Sequence, residues 1–332
     1  MNFGKYLVRR LIYAVGVLIA ISFLIFMVVQ APRGDAVDLV VAARTAQGDI
    51  ITEEDAAALR AQFGLDQPIY IQYLRWISNF VQGQLGRSIS GVPVLSLIQE
   101  RIGATVMLSV FSLALTYAIA IPIGIYTATH QHSVGDYFWT FVGFIGLAVP
   151  NFLLALILMF VFHRAFGLSI GGLFSPGMEA QPWSLAKLID LINHLWIPII
   201  VIVTASTAGT IRTMRASLLD ELGKPYVVTA RAKGVPARRL LFKYPVRLAL
   251  NPIVNSIGYV LPVLLSGETI TAIVLNLPTL GPLLLTALVI QDVQLAASVL
   301  MFQSMLAVIG VLLADIALTL YDPRIRMEKG RA

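Results

Sequence analysis

The chain contains no cysteine in 332 residues. That excludes a disulfide framework, a thiolate metal centre and a cysteine nucleophile, and leaves its compartment open. Charge is also scarce, at 13% of residues, where a soluble domain carries about a quarter. Histidine occurs only at His130, His132, His163 and His194. His130 and His132 flank one residue, and solvated loop positions account for them better than a metal site does. There is no G-x-x-x-x-G-K-[ST], so the chain has no Walker loop to bind ATP. No Ser, His and Asp set has local spacing for a hydrolase, and there is neither a tandem repeat nor a low-complexity segment. Apolar residues make up 58%, with a mean hydropathy of +0.82. The chain is therefore read as an all-α integral membrane protein. Its net charge of +6 is carried by particular loops, and no nucleic-acid partner is expected.

Six apolar runs define the expected spans: Leu11–Val29, Ile102–Thr129, Tyr137–Phe162, Leu195–Ile211, Pro252–Leu275 and Leu295–Leu320. Lys5, Arg9 and Arg10 precede the first, as in a signal peptide. The run of about nineteen residues is long enough to span, and Pro32 would hinder cleavage, so it is read as a retained helix. Pro122 with Gly124, Pro150 and Pro262 mark bending helices. With the N-terminus cytoplasmic, that side holds sixteen Lys/Arg and the other side eight, spread over more chain. The positive-inside rule then puts both termini in the cytoplasm and residues 31–100 and 164–193 outside. This divides the chain into helix 1 (1–30), an extracytoplasmic helical insertion (31–100) and a five-helix core (101–332).

Within the insertion, Thr52 caps a helix whose first turn is Glu53-Glu54-Asp55 and which should end at Gly64. Pro68 opens another helix, Ile69 to about Val81. Ile69, Tyr73, Trp76, Ile77 and Phe80 form one stripe on it, either at the membrane interface or against the bundle. Gly83 and Gly86 then break the chain.

The segment Arg212–Pro252 is the one long basic stretch between two apolar runs. It carries Arg212, Arg215, Lys224, Arg231, Lys233, Arg238, Arg239, Lys243 and Arg247 against only Asp220 and Glu221. Apolar residues recur at helical spacing. Gly223 before Lys224-Pro225, and Gly234-Val235-Pro236, punctuate it into three short helices forming a cytoplasmic knob between helices 4 and 5. Tyr226, Val227 and Val228 beside Arg231 and Lys233 read as an apolar cluster with a basic rim, as a docking partner would require.

Tyr226-Val-Val-Thr-Ala-Arg-Ala-Lys-Gly234 followed by Arg247-Leu-Ala-Leu-Asn-Pro252 resembles the EAA loop of ABC importer permeases, in the form of the oligopeptide/dipeptide/nickel branch. Val228-Thr229-Ala230 stand where Glu-Ala-Ala would, as is usual in that branch. Asn251 follows the Ala-Leu pair where the family more often has Asn before it. Gly64-Leu-Asp-Gln-Pro68, Gln72-Tyr-Leu-Arg-Trp76, Gly83-Gln-Leu-Gly-Arg-Ser88 and Asp322-Pro-Arg-Ile-Arg326 resemble further motifs of the family. Gln84 replaces its usual Asp, and Thr279 in Pro278-Thr-Leu-Gly281 replaces its usual Gly, so the turn there should differ. The resemblance implies a permease subunit that is not itself an enzyme. Coupling to the ATPase would pass through Tyr226, Thr229, Ala230, Arg231, Lys233 and Gly234. It also implies a second permease, two ATPase subunits that hold ATP and Mg, and an extracytoplasmic solute-binding protein, in a bacterial inner membrane. The resident chain would hold no cofactor.

Two carboxylates, Glu268 and Asp315, lie inside apolar runs and are candidate pathway or structural groups, because a charge at membrane depth demands a partner or water. Asp315 is expected to pair with Arg324 or a loop arginine. They also carry the alternative reading, an ion-gradient-driven secondary transporter.

Overall fold

The computed structural model describes residues 3–30, 37, 41, 45, 52–63, 66–167, 171–266 and 269–321, and every regular element among them is a helix. Most of residues 31–51, Gly64, Leu65, Glu268 and the closing Asp322-Pro-Arg-Ile-Arg326 lie outside the described residues.

Four helices are long and apolar enough to cross a membrane. They are α1 (Phe3–Gln30), α4 (Val94–Thr129), α7 (Leu185–Leu222) and α14 (Val293–Tyr321). Lys5, Arg9 and Arg10 sit inside α1 rather than ahead of it. Between α1 and α4 lie α2 (Glu53–Phe63) and α3 (Ile69–Val81).

The third apolar run is broken. It forms α5 (Val134–Ala148) and α6 (Asn151–Phe166), bent by 101°. Pro150 has no amide hydrogen to continue the ladder, and it forces the residue before it out of helical conformation. Val149 is accordingly extended, at φ −90° and ψ 120°. Counting this pair as one gives five candidate spans. The fifth run is described on either side of residues 267–268. It comprises α11 (Asn251–Ser266) and α12 (Thr269–Val274), and is followed by the ten-residue apolar helix α13 (Leu280–Val289). By contrast, α4 and α7 continue through Pro122 and Pro198.

Helices α4 and α7 form the spine of the bundle. The face of α4 carrying Thr105, Ser109, Ser112, Thr116, Ala120 and Gly124 is buried and small. Small residues let helix backbones approach closely where no hydrophobic effect drives association. A Cβ on Gly124 would lie 2.6 Å from Met214 Cβ on α7. Helix α14 packs on α1, α11 and α13.

In α2 the cap is reciprocal. The Asp55 amide donates to Thr52 Oγ1 at 3.2 Å, and Thr52 Oγ1 donates to the Asp55 carboxylate at 2.7 Å. The Thr52 hydroxyl and amide hold the Asp55 carboxyl below the usual carboxylate range. The aromatic stripe of α3 packs on the bundle. Tyr73 meets Phe23 and Phe26 edge-on, its hydroxyl bonds Ser22 Oγ at 2.8 Å, and Phe80 meets Phe302. Ile69, assigned to that stripe, is half exposed.

The chain after α3 turns at Gly83 and Gly86, both with left-handed φ. It then docks on the first turn of α14. Ser88 Oγ and the Ile89 amide donate to Asp292, which also accepts from the Leu295 amide. Asp292 is 1% exposed. Gln294 donates to the Leu85 carbonyl at 2.8 Å, against the bare face of Gly86. Nearby, residues 171–184 fold over the start of α7. Lys187 donates to the carbonyls of Glu179 and Gln181 at 2.8 and 2.6 Å, and lies over the Phe174 and Trp183 rings. The Ser175 amide and hydroxyl donate to Asp190.

Candidate functional site

The basic segment is built on the far end of α7. No Gly or Pro occurs between Ile211 and Leu222, so nothing stops the helix there, and it runs unbroken to Leu222. The stretch 212–222 is therefore the end of the preceding span and not a short helix of its own. After Gly223 come α8 (Pro225–Ala232), α9 (Ala237–Lys243) and α10 (Pro245–Ala249). Pro225 occupies the first turn of α8, where its missing N–H is no loss. The end of α8 is a Schellman motif: the Gly234 amide donates to Arg231 O at 3.0 Å and the Val235 amide to Ala230 O at 3.3 Å. Gly234 has φ +77°, a left-handed conformation suited to glycine. Pro236 then forbids resumption and begins the next helix.

This layer has its own core. Met214 and Leu218 of α7, Val246 and Ala249 of α10, Ile253 of α11 and Ala128 of α4 pack together. Helix α8 stands outside that cluster.

Each residue assigned to coupling has a distinct environment. Tyr226 is half-buried and its hydroxyl donates to the Glu221 carboxylate in the last turn of α7. Burial, with that carboxylate beside it, pushes the phenol above the ordinary tyrosine range. Thr229 is exposed, with Oγ1 donating to Pro225 O at 2.9 Å. Ala230 is half-buried, and Arg231, Lys233 and Gly234 are exposed. The expected apolar cluster divides: Val228 is 59% exposed, whereas Val227 is 1% exposed and turns inward. One α-helical step of about 100° separates them, which puts neighbours on different faces. Lys224 pairs with Glu221 at 3.0 Å. Arg231, Lys233, Arg238 and Arg239 form no ion pair among the described residues.

The two intramembrane carboxylates fare differently. Glu268 lies outside the described residues. Asp315 pairs with Arg10 of α1 at 2.7 Å, whereas Arg324, its expected partner, lies outside the described residues. The partner comes from α1 because α1 packs along α14, which is contact no local pattern encodes. With its charge met by Arg10, Asp315 lends the ion-gradient alternative no support. Thr279 of the Pro278-Thr-Leu-Gly281 turn is extended at φ −112°. The close fit is at Gly281, where a Cβ would come within 2.6 Å of Thr269 Oγ1, and the Leu280 amide donates to Thr105 Oγ1 at 2.9 Å.

Sequence reasoning passed over Asp136, Asp292 and Lys187. Asp136, 3% exposed, receives both arms of Arg215: Nε at 3.0 Å and Nη2 at 2.9 Å. The signal for it was present. Ser133-x-x-Asp136 is a capping pattern, and the Asp136 amide does donate to Ser133 Oγ at 3.1 Å. Asp292 carries the same kind of signal, an Asp immediately before an apolar helix. Nothing local marks Lys187, whose cage comes from a loop.

Comparison with known proteins follows the same segment. Residues 120–327 match the family model described as binding-protein-dependent transport system inner membrane component. Residues 3–109 match the corresponding N-terminal membrane component. The chain is similar to the oligopeptide transport system permease protein AppB of Bacillus subtilis, at 35% identity over 324 residues, covering 97% of this chain and 99% of that protein. It is also similar to the oligopeptide transport system permease protein OppB of Mycobacterium bovis, at 29% identity over 330 residues, covering 98% and 99%. A third relative is the inner membrane ABC transporter permease protein YejB of Escherichia coli O157:H7, at 28% identity, covering 98% and 99%.

Proposed function

The chain belongs to the family of binding-protein-dependent transport system inner membrane components, and on that premise we propose that this ABC importer permease subunit moves peptides or closely related small solutes. ATP hydrolysis and the Mg it needs reside in two partner ATPase subunits. A second, homologous permease completes the pathway, and an extracytoplasmic solute-binding protein delivers the solute. The observation that carries the reading is α8, a short helix outside the neighbouring core cluster with an exposed Val228 and a basic rim, mounted on the end of α7. ATP closes the ATPase pair, the pair displaces α8, and the spans reorient.

In this reading α1, α4, the α5–α6 pair, α7, α11 with α12, and α14 make six crossings, with both termini cytoplasmic. Residues 1–30, 31–100 and 101–332 serve as first helix, outer insertion and permease core. Cysteine can be introduced without background, since the chain has none. An impermeant thiol reagent on spheroplasts should label position 48 and spare position 236; the reverse pattern would sink the orientation. The function itself is tested by purifying the intact complex and adding its binding protein loaded with oligopeptides. ATPase subunits should co-purify, and their hydrolysis should rise with the loaded binding protein. A chain that purifies alone and transports without ATP would refute the proposal.

A further inference from the structure

Helix α7 is one continuous element from its first turn, under the 171–184 loop, to Leu222, three residues before α8. At about 1.5 Å per residue it exceeds the roughly 30 Å hydrocarbon core by a wide margin, so it works as a lever between α8 and the membrane. What the lever grips can be read from its side. Arg215 Nε and Nη2 bond Asp136 Oδ1 and Oδ2 in a two-pronged pair. Asp136 sits in the first turn of α5 and also accepts the His132 amide at 3.0 Å. No other ion pair joins α7 to α5 among the described residues.

The parts around that pair are stiff. A Cβ on Gly135 would fall 2.3 Å from the Tyr126 hydroxyl, and Tyr126 stacks on His130, so the α4–α5 corner is closed tightly. Farther along, a Cβ on Gly146 would lie 3.1 Å from Thr204 Cγ2 of α7, so α5 follows α7 closely to its end. Three residues past Gly146 comes the Val149–Pro150 break, where α6 leaves at 101°. A stiff lever, a charged grip and a ready-made hinge are thus in series.

We propose that the Asp136–Arg215 pair is the joint through which displacement of α8 reaches the hinge at Val149–Pro150. Asp136 and Arg215 are then positioning residues for transport. The inference rests on the reading of the chain as an ABC permease driven at α8. It adds a route: the lever turns α5, and α5 reorients α6 about Pro150.

The test uses the intact complex in lipid nanodiscs. Phe141→Cys on α5 and Phe160→Cys on α6 replace exposed side chains and carry spin labels for a distance measurement across the hinge. In the otherwise unsubstituted chain the distance should shift between the nucleotide-free state and the state trapped with Mg-ATP and vanadate. Asp136→Asn should abolish the shift while ATPase subunits still co-purify. The exchange variant Asp136→Arg with Arg215→Asp should restore part of it, which a merely space-filling role would not. A shift that survives intact in Asp136→Asn overturns this inference alone. So does an assembled exchange variant as silent as Asp136→Asn. No nucleotide-dependent shift in the unsubstituted chain likewise overturns this inference; the functional reading beneath it falls only if ATPase subunits fail to co-purify with the unsubstituted chain.

Discussion

The two ends of the bundle are each held by a buried aspartate at the start of a helix, Asp292 just ahead of α14 and Asp136 in the first turn of α5, yet the bonds differ in kind. Among the described residues Asp292 is met by neutral donors only: the Ser88 hydroxyl and the amides of Ile89 and Leu295. Asp136 accepts one amide, that of His132, but both its oxygens are also met by a guanidinium carried on another helix. Backbone amides are rigid and directional, so they hold one geometry. An ion pair keeps much of its attraction as its partners shift, because Coulomb energy falls only as the inverse of distance. The Asp292 end is thus built as an anchor and the Asp136 end as a joint.

The largest effect should come from weakening the anchor. Asp292→Ala strands three donors and removes a cap, at about 3 kcal/mol or more. The yield of folded protein and the melting temperature in detergent should both fall sharply. A melting curve equal to wild type would break the comparison, since the anchor would then be no anchor. Next comes Gly281→Val at the start of α13, which drives a side chain into Thr269. Overpacking of this kind costs about 1–3 kcal/mol, again read as melting temperature.

Changes on the α8 side should be small in stability and large in coupling. Gly234→Asp puts a side chain on a left-handed residue, at about 1 kcal/mol; open space surrounds the site, so no clash adds to it. The spans should stay inserted while stimulation of ATP hydrolysis by loaded binding protein is lost. Normal uptake at normal expression would remove α8 from the mechanism. Smallest is Tyr226→Phe, which deletes the bond to Glu221 at about 1 kcal/mol. Because burial and Glu221 raise the Tyr226 phenol, it stays protonated at a pH where ordinary tyrosines, near 10, already ionise. Subtracting the Tyr226→Phe ultraviolet titration from that of wild type should therefore show no phenolate rise near pH 10.

What was legible in the residues was punctuation. Thr52 and Asp55, Pro68, Gly83, Pro225 and Gly234 each act within a turn of their own position, and each stands at the boundary expected of it. Hydropathy was less informative, because it reports where a residue prefers to be and not the direction the chain takes. Tyr137–Phe162 reads as one span, although Pro150 divides it; Pro122 and Pro262 read no differently and leave their helices continuous. Whether a proline breaks a helix depends on what meets the freed carbonyls, and that is tertiary information. Partners distant in sequence were equally hidden. Arg10 and Asp315 are 305 residues apart and Ser88 and Asp292 are 204. The position of α8 was visible from its flanking Gly and Pro, but the inward turn of Val227 was not, since its neighbour Val228 has the same side chain.

The Schellman turn that ends α8 recurs at Asn276 and Gln291, which take the left-handed position there with φ 51° and 55°. The Gln291 amide donates to Leu288 O and the Asp292 amide to Ala287 O, so the motif is complete without glycine. A side chain such as glutamine in that conformation is strained by about 1 kcal/mol. Glycine would relieve the strain and return part of the gain through a freer unfolded chain. Gln291 is exposed and its neighbour Asp292 is the anchor, so relief there acts directly on the Asp292 end of the bundle. Gln291→Gly is therefore a route to a hardier sample for solubilisation and crystal growth, at the end of the bundle away from α8.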